Sequence, residues 1–297
     1  MSYDLFFRGR NSSAQLPLEE FRAYFKKRPS VEVEDAQACY SNERTGVYFS
    51  FDYGETEGDP DGRPHLPVAF NVNFFRPHTF GLEAQLEVAR FVKHFDLTVV
   101  DPQTNGMGEG EYSKEGFLRG WNAGNEFAYR VLVERNPTAN YASLPSGQLE
   151  AVWAWNYTVP RRQRDLGDQV FVPRVYFVAM AQGPPRTMLV WGDGIPILLP
   201  EVDLYLIPRK QLAPKPLPAS AKSDTVLVSR AELAGVLSDF KHRADALACC
   251  ELFYEHTPAE IVDFVRSAKK PAEDPQMLAF DQVLTRELLE RARKPRA

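Results

Sequence analysis

Cysteine is scarce in this chain: Cys39, Cys249 and Cys250 are the only three among 297 residues. An odd number cannot pair fully within one chain, which excludes a disulfide framework and predicts a reducing compartment. Histidine is nearly as sparse. No two of His65, His78, His94, His242 and His256 stand three or four residues apart, and no Cys-x-x-Cys accompanies them. That spacing predicts no metal site. A Gly-x-Ser-x-Gly elbow is missing, so the hydrolase nucleophile motif is excluded. Gly106 and Gly108 meet neither the dinucleotide nor the P-loop spacing, so no cofactor is expected. No stretch approaches the roughly 18 apolar residues of a membrane span. The opening MSYDLFFR has no basic region and no long apolar run, which predicts no signal peptide and a cytoplasmic location. An excess of positive charge is missing too. With 35 Lys and Arg against 40 Asp and Glu the net charge is -5, which argues against nucleic acid as a partner.

What the chain does have is a globular composition: 44% hydrophobic and 25% charged residues, with 20 Phe and 12 Tyr. These numbers predict a folded core built on large rings. The first hundred residues predict an α+β domain. Residues 46–53 (GVYFSFDY) and 68–75 (VAFNVNFF) alternate as strands packed on one face. Residues 3–7 read as a first strand. Helices are expected after Pro17, with Phe21 and Phe25 on the apolar stripe, and over residues 82–95. This order resembles a ferredoxin-like antiparallel sheet with its helices on one face over residues 1–102. Residues 103–210 read as a second domain. It holds a long helix capped by Ser113, a shorter helix over residues 146–155, a loop at residues 161–165 and an antiparallel β-meander over residues 170–207. Alternating prolines mark residues 211–223 as an extended linker. Residues 224–297 read as a helical region opening on a capping box, Ser229 with Glu232. Its helices are expected through residues 244–250, after Pro258 and over residues 275–293.

Three groups of residues could carry function. Asn71 and Asn73 leave the same face of one strand, and Asp52 precedes them on its neighbour. Arg76 and His78 follow. Together they could form a catalytic cluster on a small anionic substrate, with Asp52 as base or orienter, His78 as acid and Arg76 holding the anion. The same residues also read as a solvated outer face of the sheet. Glu55, Glu57, Asp59 and Asp61 form an acidic loop. Its alternation resembles a calcium loop, but Pro60 interrupts it and no glutamate occupies the twelfth position. In residues 191–196 (WGDGIP), Trp191 and Asp193 read as a rigid hairpin tip suited to a partner protein.

The segments YDLFF at 3–7, GVYFSFD at 46–52, FNVNFFRP at 70–77, VDPQ at 100–103 and WGDGIPILLPEVD at 191–203 resemble a group of bacterial cytosolic proteins. The resemblance covers about the first two thirds of the chain and brings no catalytic residues with it. It implies an immunity protein that binds and neutralises a secreted antibacterial toxin. A protein-binding role is therefore expected ahead of an enzyme. A regulatory module that oligomerises through its C-terminal region is a further alternative.

Overall fold

The computed structural model describes residues 1–11, 15–54, 64–214 and 224–294. The chain is α+β and divides into two compact units, residues 1–141 with 284–297 and residues 142–283. Of the linker read from the sequence at 211–223, residues 215–223 lie outside the described residues.

The first unit runs β1 (Ser2–Gly9), α1 (Leu18–Phe25), β2 (Val31–Glu34), β3 (Gln37–Asn42), β4 (Val47–Tyr53), β5 (Val68–Asn73), α2 (Thr79–Phe95), β6 (Leu97–Asp101), β7 (Gly108–Gly110) and α3 (Lys114–Arg135). Its sheet has seven strands in the order β2-β3-β4-β5-β1-β6-β7, and every neighbouring pair is antiparallel. The expected antiparallel sheet is present, extended by β2 and β3 at one edge and by β7 at the other. Within it, β5, α2 and β6 form a crossover with β1 between the two strands. The reason for the larger sheet is local. Residues 31–42 form a hairpin that extends it, with Asp35 at φ 41 closing the turn.

Alternation decides which side is covered. Tyr3, Leu5, Phe7, Phe49, Phe51, Phe70 and Val72 all lie on one side and are buried. Phe25 of α1 and Phe91 of α2 each contact Phe51, at 4.8 and 5.0 Å between ring centroids, while Phe117 of α3 meets Tyr3 at 4.9 Å. Each ring removed from water is worth roughly 2–3 kcal/mol. The helices approach closely because Gly81 faces Trp121. A Cβ there would fall 2.2 Å from Trp121 Cδ1.

The second unit runs β8 (Ser143–Leu144), α4 (Ser146–Leu166), β9 (Tyr176–Ala179), β10 (Arg186–Val190), β11 (Ile197–Pro200), β12 (Leu204–Arg209), β13 (Asp224–Ser229), α5 (Arg230–Ala234), β14 (Lys241–Arg243), β15 (Cys249–Leu252), α6 (Ala259–Ser267) and β16 (Gln276–Leu278). A five-stranded sheet has the order β13-β12-β10-β9-β16, and a three-stranded one the order β11-β15-β14. The expected antiparallel meander is corrected on two counts. β10 and β12 are parallel, and β11 leaves between them to join the smaller sheet. Pro173 also shortens the expected strand at 170–180, which begins only at Tyr176.

Residues 161–165, expected as a loop, continue α4 to Leu166 despite Pro160 inside the helix. Asn156, fully buried, holds this helix in place. Its Nδ2 donates to the Val175 carbonyl at 2.8 Å and its Oδ1 accepts the Val175 N–H at 2.9 Å. The helical reading of residues 224–297 is corrected as well, since β13, β14, β15 and β16 lie there. Cys249 and Cys250 form a strand whose partners are Pro200 and Leu199, so both bury by sheet pairing and not by helix packing. The capping box does form, with Glu232 accepting from the Ser229 N–H at 2.7 Å. The helix after Pro258 forms too.

β17 (Leu284–Thr285) and α7 (Arg286–Arg293) complete the first unit. Leu284, Leu288 and Leu289 pack on Tyr129 and Val133 of α3. No helix among the described residues is long and apolar enough to cross a membrane.

Candidate functional site

Three helices cover one side of the first sheet, so the other side presents the alternate residues. Register sets them in rows. One row crosses five strands as Glu32, Cys39, Ser50, Asn71 and Asp4. The next runs Glu34, Gln37, Asp52, Ala69, Phe6, Val100 and Glu109. Hydrogen bonds tie the rows into a mat. Asn71 Nδ2 donates to Asp4 Oδ1, Gln37 Nε2 donates to Asp52 Oδ1 at 2.6 Å, and Ser50 Oγ donates to Asp52 Oδ2 at 3.1 Å.

The face is acidic. Asp4, Glu32, Glu34 and Asp52 form no ion pair among the described residues. Arg8 is on the same side, but it is paired with Glu109 and lies 3.1 Å from His65 Nε2. The Cys39 thiol reports the crowding of charge. Burial pushes its pKa up first, and Asp52, Glu34 and Glu32 push it further. The thiol therefore stays protonated and is a poor nucleophile.

The catalytic grouping comes apart. Asp52 and Asn71 belong to the acidic mat. Asn73 ends β5, where its Oδ1 accepts the Phe75 N–H at 2.8 Å. Arg76 lies over the Tyr48 ring, 5.2 Å from its centroid, and its carbonyl accepts from Asn125 Nδ2 at 2.8 Å. His78 turns to the C-terminal segment, with Nδ1 2.9 Å from Thr285 Oγ1, while its carbonyl accepts from Trp121 Nε1 at 3.0 Å. Residues 74–78 thus serve as a seam that fastens β5 to α3. Asn125 is part of that seam: it is fully buried and also donates to the Phe74 carbonyl at 2.6 Å.

The hairpin-tip reading is corrected. Trp191 is fully buried, with Nε1 donating to the Ile195 carbonyl at 2.9 Å. Asp193, at φ 48, turns its Oδ1 inward to accept the N–H groups of Lys210, Gln211 and Leu212 at 2.8, 3.0 and 3.1 Å. It anchors the chain leaving β12. Glu55, Glu57, Asp59 and Asp61 lie outside the described residues. The two glycines at 106 and 108 lie in the loop that follows β6 and at the start of β7. The loop closes on Asp101, whose carboxylate accepts from Tyr3 Oη at 2.7 Å and from the N–H groups of Gln103 and Met107 at 3.0 and 2.8 Å. A Cβ at Gly106 would fall 2.1 Å from Asp101 Oδ2. No group of three or more His, Cys, Asp and Glu among the described residues is placed to hold a metal ion.

Sequence reasoning missed Asp4, Glu32 and Glu34. Glu32 and Glu34 were visible as an alternating Val-Glu-Val-Glu strand. Asp4 required knowledge that β1 pairs with β5. No protein family model, curated protein or solved structure matches this chain.

Proposed function

We propose that this chain is a binding protein that engages a cationic protein surface through the helix-free face of its first sheet. Following the resemblance of its sequence segments, we propose that the partner is a secreted bacterial toxin, neutralised in the cytoplasm by occupation. The observation that carries the reading is the row structure of Asp4, Glu32, Glu34 and Asp52. They stand on alternate strands, β2, β4 and β1, and form no ion pair among the described residues, so their mutual repulsion is not offset there. A basic partner surface would relieve that repulsion and would be steered to the face by it. The mat of hydrogen bonds fixes the side chains beforehand, which lowers the entropic cost of association. An enzyme draws no comparable support, because Asp52, Asn71, Asn73, Arg76 and His78 are committed to separate structural tasks.

The test is co-expression with the product of the adjacent gene. The expected result is a one-to-one complex that suppresses the neighbour's toxicity. Its association should slow steeply with added salt and at least about tenfold in the exposed pair Glu32→Lys and Glu34→Lys. Failure to form a complex, or a complex indifferent to both salt and charge reversal, would overturn the proposal.

A further inference from the structure

The first sheet ends at β2, and the register shows which backbone groups its outer edge presents. The Ser41 N–H donates to the Ser30 carbonyl at 2.7 Å, which makes residues 30 and 41 a hydrogen-bonded pair of the antiparallel ladder. Such pairs alternate with unbonded ones, so Glu32 with Cys39 and Glu34 with Gln37 are bonded as well. Val31 and Val33 therefore turn their N–H and C=O groups away from β3. These four groups have no hydrogen-bond partner among the described residues.

An open edge normally carries a lysine, a proline or a bulge that keeps other strands away. The β2 sequence, VEVE, has none of these. Its guard is negative charge. Glu32 and Glu34 are exposed on the acidic side of the sheet. A second copy of β2 laid antiparallel on this edge would set glutamate against glutamate, which disfavours self-pairing. A strand with lysine or arginine at alternate positions meets the opposite condition. Once it is bonded to Val31 and Val33, its cations stand directly across from Glu32 and Glu34, in the closer unbonded pairs. The far edge of the sheet offers no such seat. There β7 is three residues long, Gly108 and Gly110 have φ of 70 and 147, and Glu109 is already held by Arg8.

We propose that β2 takes up an extended segment of the partner as an added strand, one that carries lysine or arginine at alternate positions. This rests on the reading of the acidic face and deepens it from surface contact to strand addition.

The test uses the full chain and the synthetic peptide acetyl-TKVKVKT-amide. A second peptide of the same sequence and charge carries N-methyl groups on both valines, which removes the N–H groups that would face Val31 and Val33. Calorimetry should show saturable one-to-one binding of the first peptide below about 1 mM. The methylated peptide should bind at least about tenfold more weakly. Bound peptide should slow hydrogen exchange at the Val31 and Val33 amides at least about tenfold. Val33→Pro deletes a donor that points off the edge, where a strand tolerates proline, so the sheet should form while peptide affinity falls at least about tenfold. Absence of saturation, equal binding of the two peptides, or unchanged exchange at Val31 and Val33 would overturn strand addition. The two readings fail separately. A partner complex that still responds to Glu32→Lys with Glu34→Lys would then keep the acidic face as a docking surface without an added strand.

Discussion

Asp101 shows how much one side chain organises. It is 4% exposed, and its carboxylate receives a phenolic O–H and two backbone N–H groups. Burial and the adjacent Asp101 carboxylate push the Tyr3 hydroxyl far above its ordinary value, so the phenol remains the donor in this pair. Asp101→Ala strands three donors at once. It should destabilise the first unit by about 3 kcal/mol, since each buried unsatisfied group costs about 1–3 kcal/mol. Urea denaturation followed by near-ultraviolet dichroism measures this, and an unchanged midpoint would sink the account. The same residue explains a misleading sequence cue. Gly106 resembles part of a phosphate loop because both need a residue without a side chain. Here the close neighbour is a carboxylate of the same chain.

Elements were legible where a local rule acted alone. The strands at 47–53 and 68–73, the Ser113 cap, the Ser229–Glu232 box and the helix after Pro258 all follow from alternation or capping within a few residues. Elements were misread where a distant partner overruled local preference. The segment around Cys249 and Cys250 has an alanine-rich, helix-like composition, yet β11 supplies a ladder for it. Asp52 and Asn71 were placed correctly on one outer face. Their acidic neighbours Asp4, Glu32 and Glu34 depended on strand order, which periodicity does not encode. Trp191 was taken for an exposed anchor because its glycine-flanked turn belongs on a surface, but the ring itself faces the core. The behaviour of α4 offers a test at this scale. Its Asn156 satisfies both backbone groups of Val175, so Asn156→Leu leaves those groups unpaired in an apolar setting. A loss of about 2–4 kcal/mol is expected from two such groups. Faster hydrogen exchange at the Val175 amide would locate it, and unchanged protection there would contradict the role.

At the scale of the molecule, acidity should act on the second unit. Asp224 is raised by its burial, but Lys270 and Arg209 outweigh this and hold it below the usual carboxylate range. The hydroxyl and N–H of Ser229 lower Glu232, and Arg162 lowers Asp245. A carboxylate with a depressed folded value binds protons more weakly when folded than when unfolded. Its contribution is therefore complete above the unfolded value, near 4, and is lost as pH falls through the folded one. The melting temperature of residues 142–283 within the full chain should hold from neutral pH to about 5 and then fall steeply. Asp224→Asn and Asp245→Asn should each flatten that fall. A melting temperature as acid-sensitive in both variants as in the parent would refute the assignment.

The seat of α7 on α3 has a consequence in time. Tyr129 and Val133 emerge from the ribosome long before Leu288 and Leu289, because the whole of residues 142–283 is made between them. At about 5–20 residues per second, that delay is on the order of ten seconds. Through it, the greasy flank of α3 stands open on a nascent chain that cannot yet cover it, which makes this stretch the natural place for a chaperone to hold.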